Sequence, residues 1–229
     1  LRWMSQPAWP SVEWQTYSWD YETFGSYFGS RKACEPVHVQ MNLDDHDIVV
    51  LNTTTSSLDD MKVSLTCYDL AGKTLSSKIM KDIDVPANSR LDLFKAELEG
   101  LTGNYMVRLI LSDKKGKVIT VNDYMMRGEG TEDFTALNNV GKAQLKARRL
   151  SSKSDTQRYE ITNTSGNIAL NLKFNLVNPE NGEIILPAYF SDGYFHLLPG
   201  EKRTIEVHSP SAGAIMVEGY NVDNTTLKL

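Results

Sequence analysis

Few side chains in this sequence are spaced in a way that could support catalysis or metal binding. The densest group of candidate metal ligands is Asp44-Asp45-His46-Asp47, and the other histidines are scattered at His38, His196 and His208. Hard cations such as Ca²⁺ need several spaced oxygen ligands, whereas this run lies between two predicted strands without such spacing. It is interpreted as a solvated hairpin tip, and the sequence predicts no metal or other cofactor.

Common catalytic motifs are also missing from the sequence. It contains no Cys-x-x-Cys, His-Glu-x-x-His or Gly-x-Ser-x-Gly spacing and no phosphate-binding loop. The two cysteines, Cys34 and Cys67, are too few for a disulfide scaffold and are interpreted as buried thiols, with a single bridge as the alternative. No catalytic residue is assigned within this chain.

Charge and hydropathy exclude two classes of partner. The formal net charge of −5 gives nucleic acid no electrostatic footprint, and no apolar run approaches the roughly 20 residues that span a bilayer. Neither nucleic acid nor a membrane is expected as a partner. The Asn-x-Ser/Thr triplets at Asn52, Asn163 and Asn224 receive little weight as glycosylation sites, because such triplets arise readily by chance.

Beyond Pro36 the sequence has the alternation of antiparallel strands with one buried face. Met61-Lys62-Val63-Ser64-Leu65-Thr66-Cys67 alternates without interruption. The predicted strands are 37–41, 48–52, 61–68, 74–83, 90–94, 105–112 and 118–126, followed by 144–150, 157–163, 170–177, 194–197, 203–208, 214–220 and 225–229. Seven short strands in each half favour an immunoglobulin-like sandwich.

The two halves share landmarks at a nearly constant offset. Asn52-Thr53-Thr54 matches Asn163-Thr164-Ser165 at an offset of 111 residues, and Gly72 matches Gly182 at 110. Such a repeat predicts two tandem sandwiches, at 37–127 and 142–229. The polar, glycine-rich stretch that begins at residue 128 is interpreted as a linker over 128–141.

The first 36 residues differ in composition from everything after them. All four tryptophans, Trp3, Trp9, Trp14 and Trp19, fall within the first twenty residues. The chain's best helix candidate, Phe24–Ala33, follows them and stops before Pro36, because proline disfavours helix in the residue that precedes it.

This opening resembles the end of the catalytic barrel of family-two glycoside hydrolases, in the group of β-mannosidases, exo-β-glucosaminidases and mannosylglycoprotein endo-β-mannosidases. The resemblance is carried by Ala8-Trp9-Pro10-Ser11, by Tyr27-Phe28-Gly29 and by Lys32-Ala33-Cys34-Glu35-Pro36. A second match is the run from Asp192 through Tyr194-Phe195 to Pro199-Gly200-Glu201. The resemblance implies an all-β chain of two tandem immunoglobulin-like β-sandwiches, preceded at 1–36 by a strand-loop-helix remnant of a (β/α)8 barrel.

The resemblance also implies which residues approach a sugar. Trp9 corresponds to the loop that walls the sugar subsite and Trp3 to the last barrel strand, so both are candidate substrate-binding residues, with barrel core as the alternative. An indole face can pack on the apolar face of a pyranose. In the related enzymes the acid/base glutamate follows an asparagine, and no Asn-Glu pair occurs in this sequence. The catalytic carboxylates are therefore expected upstream.

The resulting prediction is a non-catalytic C-terminal region of a retaining exo-β-glycosidase, in which the sandwiches brace the barrel and its pocket rim. Its expected partners are the upstream barrel and, through that barrel, an oligosaccharide, in a periplasmic or secreted protein. The alternative is an independent carbohydrate-binding or adhesion module, for which Tyr189, Phe190, Tyr194 and Phe195 form the only dense aromatic group within the two predicted sandwiches. In the isolated chain, residues 1–36 are expected to fold onto the first sandwich or to form a homo-oligomer.

Overall fold

The computed structural model describes residues 6–10, 16–153 and 155–226. The fold is all-β with immunoglobulin-like domains. Lys32–Val140 form one compact unit, called the first unit below. The described residues up to Arg31 join those from Gly141 onward in the second unit.

The first unit is built from two antiparallel sheets that enclose one core. Strands β1 (Val37–Met41), β2 (Asp47–Asn52) and β5 (Ser89–Lys95) form the smaller sheet in the order β1-β2-β5. Strands β3 (Leu58–Asp69), β4 (Thr74–Val85), β6 (Asn104–Ser112) and β7 (Val118–Arg127) form the larger one in the order β4-β3-β6-β7. A short 3₁₀ helix, Thr135–Asn139, follows β7.

Alternation along β3 explains how this core forms. Met61, Val63, Leu65 and Cys67 are all buried, whereas the polar residues between them are partly exposed. Successive side chains of a strand point to opposite faces, so one face of β3 supplies the core. The alternation in the sequence therefore predicted both the strand and its buried face.

The second unit combines one helix with two four-stranded antiparallel sheets. Helix α1 spans Gly25–Ala33 and ends before Pro36; its residues up to Arg31 belong to this unit. One sheet has the order β11-β13-β9-β8, from Tyr189–Phe190, Lys202–His208, Thr156–Asn163 and Leu145–Lys153. The other has the order β12-β10-β14-β15, from Phe195–Leu197, Ala169–Val177, Ala214–Gly219 and Val222–Thr226.

The repeated plan is visible in the backbone of the two units. Residues with positive φ occur at matching places: Asp60 with Asn171, Gly72 with Gly182, Asp82 with Tyr194, and Asn88 with Gly200. Asp60 and Asn171 have φ values of 54° and 50°, and each lies at an irregularity in its strand pairing. Non-glycine residues rarely adopt this conformation. Its recurrence therefore marks corresponding bends in β3 and β10.

The structure departs from the sequence predictions at two places. The short strand β11 was not predicted. It pairs with β13, whereas β12, the next strand along the chain, lies in the other sheet. The N-terminal segment was expected either to fold onto the first sandwich or to associate with another copy, and the first alternative was wrong: the described residues up to Arg31 belong to the unit that contains Gly141 onward. The reason is Phe28, which packs in the core of the second unit.

Candidate functional site

The segment before helix α1 forms a tight turn fixed by its own backbone. Ser18 N donates to Glu22 O at 2.8 Å, Tyr21 N donates to Ser18 O at 3.1 Å, and Phe24 N donates to Thr16 O at 3.0 Å. The Ser18 hydroxyl adds a side-chain bond by accepting from Glu22 N at 3.0 Å. We call residues Ser18–Glu22 the anchor turn, because Glu22 connects it to a strand of the second unit.

That connection is an ion triad around Lys173 of β10. Lys173 Nζ lies 2.9 Å from Glu218 Oε1 on β14 and makes a close ion pair with Glu22 Oε1. Burial alone would lower the pKa of Lys173, but its hydrogen bonds to both carboxylates raise that pKa above the usual value. The triad is therefore a charge-paired tie between the anchor turn and two strands, a feature that sequence reasoning missed because its members are far apart in the chain.

Helix α1 is held on the second unit by Phe28. The Phe28 side chain is 8% exposed and lies within the core cluster of that unit. Its ring centroid lies 5.1 Å from that of Tyr27 and 5.9 Å from that of Tyr194. A Cβ atom at Gly193 would be 2.9 Å from the Phe28 ring. The absence of a side chain at Gly193 therefore makes room for Phe28.

Tyr17 lies close to two other tyrosines, Tyr27 of this helix and Tyr189. The ring centroids of Tyr17 and Tyr27 are 5.4 Å apart. Burial raises the pKa of the Tyr17 phenol, and the neighbouring phenols of Tyr27 and Tyr189 raise it further. Tyr189 is 46% exposed, so the group has one edge in solvent.

The predicted sugar-contact residues have different outcomes. Trp9 is 70% exposed, on a short stretch connected to the anchor turn by a bond from Gln6 Nε2 to Trp19 O at 3.2 Å. Trp19 is 49% exposed. Trp3 and Trp14 lie outside the described residues. The role of Trp9 as a sugar contact stays a prediction.

The dense aromatic group around residue 190 is divided between core and surface. Phe190 and Phe195 are buried in the core of the second unit, and Tyr194 packs against that core. Of this group only Tyr189 is exposed. A broad aromatic platform for sugar is therefore not formed by these four residues.

The run from Asp192 to Glu201, which carries the second family resemblance, supports the fold locally. Asp192 Oδ2 accepts from Arg203 Nη1 at 3.0 Å, and the Arg203 guanidinium lies 4.3 Å from the centre of the Phe195 ring. Glu201 Oε2 accepts from Leu198 N at 2.8 Å. These contacts fix a turn and cover a core aromatic residue, so the resemblance at this run concerns architecture.

In two of the three glycosylation triplets the asparagine side chain is buried and hydrogen-bonded to the surrounding chain. Asn52 Nδ2 donates to the carbonyls of Ser56 at 2.8 Å and Pro86 at 2.9 Å, while Asn52 Oδ1 accepts from Thr54 N at 3.0 Å and Thr54 Oγ1 at 2.7 Å. Asn163 repeats the pattern with partners 111 residues later in the chain: Asn167, Leu197 and Ser165. Both asparagines have no exposed area, so a glycan is incompatible with either in the folded chain.

A polar network around His38 lies in the first unit. Asn122 Nδ2 donates to His38 Nε2 at 3.2 Å and to Tyr124 Oη at 2.8 Å. An amide donor facing Nε2 places the imidazole proton on Nδ1, which lies 3.4 Å from Glu35 Oε2. Burial lowers the pKa of His38, with the Glu35 carboxylate opposing the effect. The arrangement fits a neutral, structural histidine.

No metal site was found among residues 6–10, 16–153 and 155–226, where no group of three His, Cys, Asp or Glu side chains could hold an ion. Cys34 is exposed and Cys67 is buried, and both are free thiols, so the expectation of two buried thiols was wrong for Cys34. Within the same described ranges, no helix is long and apolar enough to cross a membrane.

Comparison with known families matches both units. Residues 44–127 match the family described as a mannosidase Ig/CBM-like domain, and residues 123–222 match the exo-beta-D-glucosaminidase Ig-fold domain. Whole-chain relatives include an exo-beta-D-glucosaminidase of Hypocrea jecorina, 28% identical over 258 residues that cover 100% of this chain and 29% of the relative. A mannosylglycoprotein endo-beta-mannosidase of Lilium longiflorum is 26% identical and covers 90% of this chain and 28% of that protein.

Solved structures show the same fold. The crystal structure of an exo-chitosanase of Amycolatopsis orientalis superposes with a TM-score of 0.85 at 24% identity, over 99% of this chain and 30% of that one. A beta-D-mannosidase from Dictyoglomus thermophilum gives a TM-score of 0.73 at 19% identity, over 95% and 26% of the two chains. The chain thus spans under a third of the length of the relatives that it matches.

Proposed function

Because this chain carries the Ig-fold domains of the exo-β-glucosaminidase and mannosidase group and matches the C-terminal portion of family-two glycoside hydrolases, we propose that it is the non-catalytic region of a retaining exo-β-glycosidase. The parent protein would release terminal β-linked sugars from oligosaccharides or glycans. In this proposal residues 1–36 complete the barrel, 37–127 and 142–229 are the two sandwiches, and 128–141 connect them. The sandwiches brace the barrel and the rim of its pocket.

The observation that supports bracing most directly is the burial of Phe28 in the core of the second unit. Helix α1 resembles the closing helix of the barrel, and it shares a core with an immunoglobulin-like domain. Interiors packed at crystal-like density transmit displacement instead of absorbing it. A barrel helix built into a sandwich core is therefore held as rigidly as that core.

Exposed aromatic residues on the N-terminal segment fit the same proposal. Trp9, Trp19 and Tyr21 are 70%, 49% and 54% exposed. Several large apolar side chains exposed on one short segment are typical of an interaction site, and here the proposed interaction is with the upstream barrel, with Trp9 at the sugar subsite. The barrel is the principal partner, the oligosaccharide is bound through it, and the parent is periplasmic or secreted.

Activity assays on two proteins test the proposal. The full-length parent should hydrolyse nitrophenyl β-D-glucosaminide or β-D-mannoside, and the isolated chain should hydrolyse neither. Phe28→Ala in the parent should lower activity, whereas the matched Phe134→Ala, at a 40% exposed phenylalanine of the first unit, should not. Turnover by the isolated chain would refute the non-catalytic role.

Calorimetric titration of the isolated chain with gluco- and manno-configured oligosaccharides separates bracing from independent sugar binding. Flat isotherms are expected, and binding at millimolar affinity or tighter would favour a carbohydrate-binding module. Light scattering addresses a further part of the proposal, self-association of the isolated chain through residues 1–36. A strict monomer would contradict that part alone.

A further inference from the structure

Lys173 lies at the point where the second unit contacts the anchor turn. Its strand partner in the β10–β14 pairing is Glu218, so the backbone register places these two side chains side by side on one face of the sheet. Glu22 reaches the same ammonium group from the anchor turn. The Lys173 side chain is 19% exposed and that of Glu22 is 22% exposed, so water screens this pair less than a surface pair.

The anchor turn also contacts the stretch that carries Trp9, and so connects that stretch to Lys173. Glu22 is held to Ser18 by a backbone bond of 2.8 Å and by the Ser18 hydroxyl. Within the turn, Trp19 O accepts from Gln6 Nε2 at 3.2 Å. Gln6 precedes Trp9 by three residues. A continuous set of contacts therefore runs from β10 through the anchor turn to the residues beside Trp9.

We propose that Lys173, a residue of the second immunoglobulin-like domain, positions the Trp9 stretch for sugar binding in the parent enzyme. This inference rests on the proposed function. Lys173 acts through Glu22 and the anchor turn, without contacting the sugar. Removal of its ammonium group leaves the Glu22 and Glu218 carboxylates, which both pair with it, without that cation between them, and like charges repel. The anchor turn then moves away from β10, and the Trp9 stretch moves with it.

The kinetic test uses the full-length protein and three variants at lysines of the second unit. Lys173→Met should raise KM for the nitrophenyl glycoside about tenfold with kcat within about twofold, because the Trp9 stretch shifts while the reacting groups stay in place. Lys173→Arg keeps the charge and should restore most of the affinity. Lys142→Met removes the exposed ion pair with Asp223 and should leave both constants unchanged.

A double-mutant cycle tests whether Lys173 acts through Trp9. Trp9→Ala alone should raise KM, and adding Lys173→Met should raise it little further, because residues acting in one chain of contacts are non-additive. Additive effects, or an unchanged KM in Lys173→Met, would overturn the positioning role while leaving the proposed function intact. Inactivity of the wild-type parent on both glycosides would instead refute the proposed function, and the positioning role with it.

Hydrogen exchange of the isolated chain supplies a readout that needs no activity. Lys173→Met should accelerate exchange at the Tyr21 and Glu22 amides of the anchor turn, and Lys142→Met should not. Unchanged exchange at these amides would show that Lys173 does not hold the anchor turn, which overturns the inference whatever the kinetics.

Discussion

Asn52 completes four hydrogen bonds from a side chain with no exposed area. Asn52→Ala should lower the free energy of unfolding of the first unit by about 2–4 kcal/mol, since it removes four hydrogen bonds that are each worth about 1 kcal/mol, while the Ser56 and Pro86 carbonyls keep other donors. Urea unfolding measures the change. Thr55→Ala, at an exposed neighbour, is the matched control and should stay within about 0.5 kcal/mol of wild type. Equal effects of the two substitutions would contradict the structural role assigned to the buried Asn52 side chain.

His38 gives the first unit a pH dependence whose sign follows from its environment. Burial lowers its pKa in the folded chain below the usual 6.5, against the opposing effect of Glu35 and with a smaller lowering from Lys32. The folded state therefore binds fewer protons than the unfolded state, and the contribution of neutral His38 is complete above pH 6.5 and lost as the pH falls below it. The pKa of Glu35 lies below its usual 4.5. The stability that its carboxylate contributes is therefore lost only in more acidic solutions, as the pH falls below 4.5.

Urea unfolding at pH 7.5 and pH 5.5 should thus show a less stable first unit at the lower pH. His38→Gln should flatten this dependence, whereas His208→Gln, at an exposed histidine of the second unit, should leave it unchanged. A first unit that becomes more stable on acidification to pH 5.5 would show that the Glu35 ion pair outweighs burial.

At the scale of elements, the docking of helix α1 depends on a glycine in a distant loop. A Cβ at Gly193 would lie 2.9 Å from the Phe28 ring, whereas a Cβ at Gly29, in the helix itself, meets nothing within 4 Å. Gly193→Ala should therefore destabilise the second unit by about 1–3 kcal/mol through overpacking. Gly29→Ala should stabilise it by up to about 1 kcal/mol, because alanine is the better helix former. Thermal unfolding of the two variants should move in opposite directions, and a shift of the same sign in both would refute the steric argument.

Elements with local signals were predictable from the sequence, and elements defined by distant partners were not. The strand β3 and the helix α1 agree with their predictions because alternation and a following proline are local features. Strand β11 has two residues and exists through its pairing with β13, which no local pattern reveals. The Lys173 triad joins Glu22 to two residues of distant strands, Lys173 and Glu218, so only the folded chain brings it together.

At the scale of the whole molecule, the second unit is discontinuous in sequence. Its core cluster takes Phe28 from before the first unit and the remaining buried residues from after it. The first unit has a separate core cluster that runs from Val39 to Leu111. The first domain is therefore inserted, in sequence, between helix α1 and the sandwich that this helix completes. This explains why the helix, which resembles the last helix of a barrel, shares one core with a domain that begins more than a hundred residues later.

Two phenylalanine substitutions test this division of the chain by hydrogen exchange. Phe28→Ala should cost about 3–5 kcal/mol in the second unit, because it leaves a cavity in a buried cluster, and should accelerate exchange in β10 and β13. Phe94→Ala, at a partly buried residue packed against the other core, should accelerate exchange in β2 and β3 instead, by a smaller factor. The crossed pattern is expected because the described residues of the two clusters do not overlap. If Phe28→Ala accelerated exchange in β2 as strongly as in β10, helix α1 would not belong to the second unit, and the bracing proposal would lose its main support.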